Sequence, residues 1–245
     1  MTAVSKASLS GLRKELAAGA DAERARGSAW FFKTGKGQYG EGDKFIGLTV
    51  PAQRKIAGRY RTLALADIGK LLESKIHEHR FTALEILVMQ YEAGDTGARQ
   101  AIFDFYLKQT PRINNWDLVD TSAPYIMGEH LLSRPRKILY RLAKSGDLWE
   151  RRIAIIATLM FIRAGELKDT FAIARLLLGD EHDLIHKAVG WALREAGKSS
   201  KPALLEFLRT NYSGMPRTSL RYAIERFPPA ERSRILKGVF GPDGR

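Results

Sequence analysis

The chain has 245 residues, 44% of them hydrophobic and none of them cysteine. It is long enough to bury a substantial core, and disulfides and thiolate metal sites are excluded. Forty Lys and Arg against 27 Asp and Glu give a net charge of +13, which favours a polyanionic partner, nucleic acid ahead of a membrane surface.

The opening "MTAVSKASLSGLRKELAAGADAERAR" has no apolar h-region and reads as ordinary helix rather than a signal peptide. No run of 18 apolar residues follows it, so no membrane span is expected and a reducing cytoplasm fits best. "SAWFFKT" also reads as helix. The "GKGQYG" after it, residues 35 to 40, matches G-x-G-x-x-G letter for letter. A dinucleotide site needs a strand before those glycines, so the segment is expected to be a loop.

From residue 80 the apolar period is helical. In "RFTALEILVMQYEAG" the apolar positions 81, 84, 88 and 91 recur at three and four, and "RRIAIIATLMFIRAG" behaves likewise. Breakers stand at Gly94-Asp95, Gln109-Thr110-Pro111, Gly146-Asp147, Gly165-Glu166 and Gly197-Lys198. The pattern predicts an all-α chain of roughly a dozen helices in hairpins, a single domain over residues 1–245.

Such a chain calls for a search for internal repeats. A basic residue opens four of the helical stretches: Arg80 in "EHRFTAL", Arg152 in "ERRIAII", Lys187 in "IHKAVGW" and Arg221 in "SLRYAIE". The first interval is 72, twice 36, and the later two are 35 and 34. Repeats of that length with two helices each predict an α-solenoid of the HEAT kind, whose inner helices line a concave face. The four basic residues would form a cationic row there, suited to a phosphate backbone.

Halving the first interval lands on residue 116, and there the row is interrupted by "RINNWDLVDTSAPY". Trp116 stands where a cation is expected, and Asp120 lies on the same helix face one turn later. A carboxylate in a groove built for polyanions repels the ligand, so the pair reads as a site. Asp117, about 100° around the helix, reads as a cap or as support for its neighbours. Trp191 follows Lys187 by four residues, and Gly190 beside it suggests close helix packing. Trp149 reads as core. His182 and His186 have a metal-compatible spacing but lack a third ligand, so no metal site is expected.

"NNWDLVD", "LWERRIAI" and "KAVGWALRE", with the opening "FFK" and "FIGLTVPAQR", resemble the AlkD-like DNA alkylation repair glycosylases over nearly the whole chain. The resemblance implies a HEAT-like solenoid that cradles double-stranded DNA, and nothing in the sequence suggests more than a monomer. The resemblance also implies excision of cationic N3- and N7-alkylated purines without metal or cofactor, and without flipping the base into a pocket. Carried over, it puts the catalytic carboxylate on Asp120, the sugar-contacting tryptophan on Trp116, the arginine on Arg152 and the second tryptophan on Trp191. Phe31 stands where that family usually has Tyr, and the glycine-rich loop is longer than the family's. Ordinary glycosidases need a second carboxylate to protonate the leaving group, whereas an alkylated purine already carries its charge. The rival readings are a HEAT-repeat DNA-binding module without catalysis and a protein-binding scaffold. A non-catalytic groove has no reason to keep Asp120.

Overall fold

The computed structural model describes residues 7–240. Among them the only β feature is an isolated bridge between Lys44 and Ile76, and the remaining regular structure is helical. The all-α expectation holds. The chain forms two compact units, Met1–Ile126 and Met127–Arg245.

The first unit carries α1 (Leu9–Ala18), α2 (Ala22–Phe31), α3 (Val50–Arg59), α4 (Leu65–Leu72), α5 (His77–Ala93), α6 (Thr96–Lys108) and α7 (Trp116–Ala123). Three of these helix starts share one kind of side-chain cap. Ser8, Asp21 and Asp95 accept hydrogen bonds from the backbone N–H three residues on, at Gly11, Arg24 and Ala98. Helix α5 is the hub: α1, α3, α4, α6 and α7 all pack against it. Every residue from His77 to Leu87 is therefore buried, including the polar His77, Glu78, His79, Arg80, Thr82 and Glu85. Buried polar groups need partners. Glu78 finds three in the backbone N–H groups of Ile46, Gly47 and Leu48, at 3.0, 2.8 and 3.3 Å.

The second unit carries α8 (Glu129–Leu131), α9 (Lys137–Leu142), α10 (Leu148–Arg163), α11 (Lys168–Leu176), α12 (Asp183–Ser199), α13 (Lys201–Asn211), α14 (Arg217–Ala223) and α15 (Pro229–Leu236). Alternate helices α10, α12 and α14 pack side by side, while α9, α11 and α13 pack against them as a second layer. This alternation is the local packing of an α-solenoid. Helices α5 and α7 pack together in the same way in the first unit. The five positions picked out by the repeat spacing, 80, 116, 152, 187 and 221, all fall in the first five residues of α5, α7, α10, α12 and α14.

Most of the expected breaks hold. Asp147 caps α10 by accepting from Trp149 and Glu150, and Gly165 ends it with a φ of 79° that favours glycine. The break expected at Gly197-Lys198 is corrected: α12 runs through it to Ser199, and Ser200 caps α13. Trp149 is core, as expected. Gly190 is where α12 meets α14: a Cβ there would lie 2.7 Å from the Ser219 carbonyl oxygen and closer still to Tyr222.

Candidate active site

Helix α7 starts at Trp116 because Asn115, extended and fully buried, accepts the Trp116 N–H on its side-chain oxygen at 2.8 Å. The cap is thus Asn115 and not Asp117. Pro124 ends the regular α-helix, and Pro124–Gly128 continues the chain as a π turn.

Trp116 lies in a cluster of rings. It stacks on Phe32 at 5.2 Å and meets the edge of Phe31 at 6.0 Å. Phe32 continues the stack onto Phe45 at 5.1 Å, and both pack on the His77 imidazole at 4.9 and 4.7 Å. Phe31 keeps 55% of its surface exposed. A cavity of about 430 Å³ opens here, lined in part by Phe31, Phe32, Phe45, His77 and Asp117.

Beneath the rings lies a buried charge network. His77 Nε2 is 2.7 Å from Asp117 Oδ2, and its Nδ1 is 3.1 Å from Asp43 Oδ2. Both partners are carboxylates, so both ring nitrogens donate and the ring is an imidazolium. Burial opposes that charge, but the neighbouring Asp117 carboxylate and the hydrogen bonds to Asp117 and Asp43 outweigh it, raising the pKa to about 9. Burial likewise resists the charge on Asp43, yet the His77 hydrogen bond and the Arg80 guanidinium hold its carboxyl below the usual range. Asp117 therefore supports its neighbours by tying the start of α7 to α5.

Asp120 is half-buried one turn beyond Trp116. Burial pushes the Tyr106 phenol of α6 well up, its hydrogen bond with Ser122 opposes this, and the Asp120 charge adds to the rise. Next to Asp120, the Thr121 hydroxyl donates to Glu85 Oε1 at 2.6 Å, and Arg54 reaches the same oxygen at 3.1 Å. Glu85 thus anchors α7 to α5 and draws in α3.

The expected cationic row divides by depth. Arg80 is 3% exposed and donates to Asp43 at 2.7 Å and to the Ser74 carbonyl at 2.8 Å. In this structure it is no surface cation, which corrects its place in the row. Arg152, 5% exposed, donates to the Leu184 carbonyl in the first turn of α12 at 2.7 Å. Both arginine side chains are buried and donate to a backbone carbonyl instead of facing solvent. Lys187 is paired with Asp183 at 2.7 Å, Arg221 is exposed, and Trp191 is half-buried one turn beyond Lys187. His182 caps α12, and His186 donates to the Asp180 carbonyl. Among the described residues no three His, Cys, Asp or Glu are grouped to hold a metal ion, and no helix is long and apolar enough to cross a membrane.

Sequence reasoning passed over Phe32, Phe45, His77, Asp43 and Glu85. The signal was present in the "IHEHR" opening of α5, where four polar residues start a helix that then turns apolar.

Residues 12–227 match the family model of the DNA alkylation repair enzymes. The chain belongs to that family. The span matched in this DNA alkylation repair family member takes in every candidate from Phe31 to Arg221. Among solved structures, a "predicted DNA alkylation repair enzyme from Enterococcus faecalis" shares the fold with a TM-score of 0.68. It is 16% identical, and the similarity covers 86% of this chain and 97% of that one. No curated protein matches the chain.

Proposed function

We propose that this DNA alkylation repair family member is a monofunctional DNA glycosylase, acting as a monomer on N3- and N7-alkylated purines in double-stranded DNA. The observation that carries the reading is the pairing of Trp116 and Asp120 one turn apart on α7, with Trp116 seated on the Phe31–Phe32 rings. The C1′–N bond breaks with its electron pair going to the purine, whose positive charge is neutralised as it leaves. The sugar becomes an oxocarbenium ion, the Asp120 carboxylate stabilises it, and water adds to C1′ as its proton passes to Asp120. A full ion pair at about 3.5 Å and an effective dielectric of 20 gives at most ~5 kcal/mol. Only the part gained in the transition state accelerates the reaction, about 2–3 kcal/mol or ~10²-fold. Trp116 holds the sugar by face contact, about 0.5–2 kcal/mol, and Trp191 keeps the DNA-contacting role that the resemblance implies. Arg152 acts through α12, which carries Lys187 and Trp191, and Lys187 and Arg221 meet phosphates on a concave face of HEAT-like repeats.

The test is single-turnover excision of methylated purines from duplex DNA by wild-type, Asp120→Asn and Asp117→Asn proteins. Asp120→Asn should be ~10² slower or more with its melting temperature kept. Asp117→Asn should lose stability first, because it strips His77 of a carboxylate. Excision by Asp120→Asn at the wild-type rate would refute the assignment and leave a DNA-binding module as the better reading.

A further inference from the structure

The C-terminus of α2 holds an arrangement that the proposed chemistry does not use. Trp30 is 75% exposed, the most exposed large apolar side chain among the described residues. The Lys33 ammonium lies over its indole, 4.9 Å from the ring centroid. Lys33 is also the one non-glycine described residue with a positive φ, 56°. The hydrogen bonds explain that angle. Lys33 N–H donates to the Trp30 carbonyl at 3.3 Å and Thr34 N–H to the Ala29 carbonyl at 3.2 Å, the paired bonds of a Schellman cap. That cap position is normally glycine, because a side chain there crowds the following carbonyl. Here a lysine occupies it and folds back over an indole that could otherwise have been buried or replaced. Strain kept at the surface where glycine would relieve it points to a use for the side chain.

The surroundings say which use. Arg26 stands one turn before Trp30 on the same face of α2, and Lys36 follows the cap; both are exposed. The nearby Glu41 is turned onto the loop, accepting from the Gly37 N–H at 2.7 Å. Phe31, the next residue after Trp30, touches Trp116. An exposed indole between free cations, one residue from the candidate site, matches a polyanion whose flat rings come out of their stack. We propose that Trp30 and Lys33 form a nucleic-acid contact, the Trp30 indole stacking on an unstacked base while Lys33 and its neighbouring cations meet the flanking phosphates. The choice of nucleic acid rests on the proposed function, but the contact itself needs no turnover.

The experiment is fluorescence anisotropy of the full chain on labelled duplexes, one regular and one with a single bulged base. Wild type, Trp30→Phe, Trp30→Ala and Lys33→Gly are compared, each with its melting temperature. Trp30→Ala should weaken binding to the bulged duplex by about 10-fold, more than to the regular duplex, and Trp30→Phe should keep most of the affinity. Lys33→Gly should bind a few-fold more weakly while melting at the same or a higher temperature, since glycine relieves the strained cap. A merely structural lysine would not separate the two readouts in that direction. The proposal is overturned if Trp30→Ala binds both duplexes as wild type does, or if wild type binds neither. It is equally overturned if the substitution spares DNA binding but abolishes binding to vesicles of phosphatidylcholine and phosphatidylserine, which would make the patch a membrane contact. Excision on methylated DNA, run beside these, reports separately: inactive wild type with the Trp30 effect intact refutes the glycosylase and leaves the contact standing.

Discussion

Replacing His77 by Gln should cost most stability at pH 6.5 and below, and progressively less as the pH climbs toward 9. The His77 ring, boxed between Asp43 and Asp117 with Arg80 also facing Asp43, has its pKa raised from 6.5 to about 9. A raised folded-state pKa contributes stability that is fully present below pH 6.5 and is lost as pH climbs through 9. At 1.36 kcal/mol per unit the shift is worth about 3 kcal/mol. His79, two residues on, works in the other direction. Burial first, and then the charges of Arg13 and Arg80, lower its pKa to about 4. Its stability contribution is present above pH 6.5 and is lost as pH falls toward 4. The wild type should therefore be most stable near pH 6.5, falling on both sides. Urea denaturation at intervals from pH 5 to 9.5 measures this. His77→Gln should flatten the alkaline limb relative to wild type and leave the acid limb in place. Parallel wild-type and mutant curves between pH 6.5 and 9, or a folded-state His77 pKa below 7 by NMR titration, would refute the doubly paired imidazolium.

Gly190→Ala should destabilise by about 1–3 kcal/mol, because its methyl meets the α14 backbone rather than a movable side chain; a thermal melt reads this. Arg221→Gln should reduce the slope of log K for duplex DNA against log salt by about 0.9 if the exposed guanidinium meets one phosphate, and an unchanged slope removes it from the interface. Trp191→Ala should slow single-turnover excision. Being only half-buried, it should lose less than the ~3–5 kcal/mol expected of a core tryptophan, and a largely unfolded mutant would return Trp191 to the core.

The helices were legible because their causes are local. Asp147 before "LWERR" and Gly165 after "FIRA" bound α10 within a short stretch of chain, and the 34-to-36-residue spacing needed only counting. The spacing gave phase but not depth. Arg80 and Arg152 have the predicted helical phase, yet the charge of a buried arginine looks the same in the sequence as that of an exposed one. The His77 network was illegible for another reason: its partners stand 34 and 40 residues away, and no local pattern joins them. A carboxylate at a helix start suits cap and support alike, so the sequence leaves both open for Asp117, and in the fold Asn115 takes the cap.

The three N–H bonds that Glu78 accepts tie residues 46 to 48, a stretch without regular secondary structure, to the first turn of α5. The carboxylate is 2% exposed as a residue, so those amides meet solvent deuterium only when the α5 N-terminus separates from them. In hydrogen–deuterium exchange this stretch should protect like the hub helix and not like the neighbouring glycine-rich loop, so that the two exchange as one cooperative unit. Loss of the Glu78 carboxylate would uncouple them, and the segment leading from the loop into α3 would open on its own, far faster than the helix it leans on.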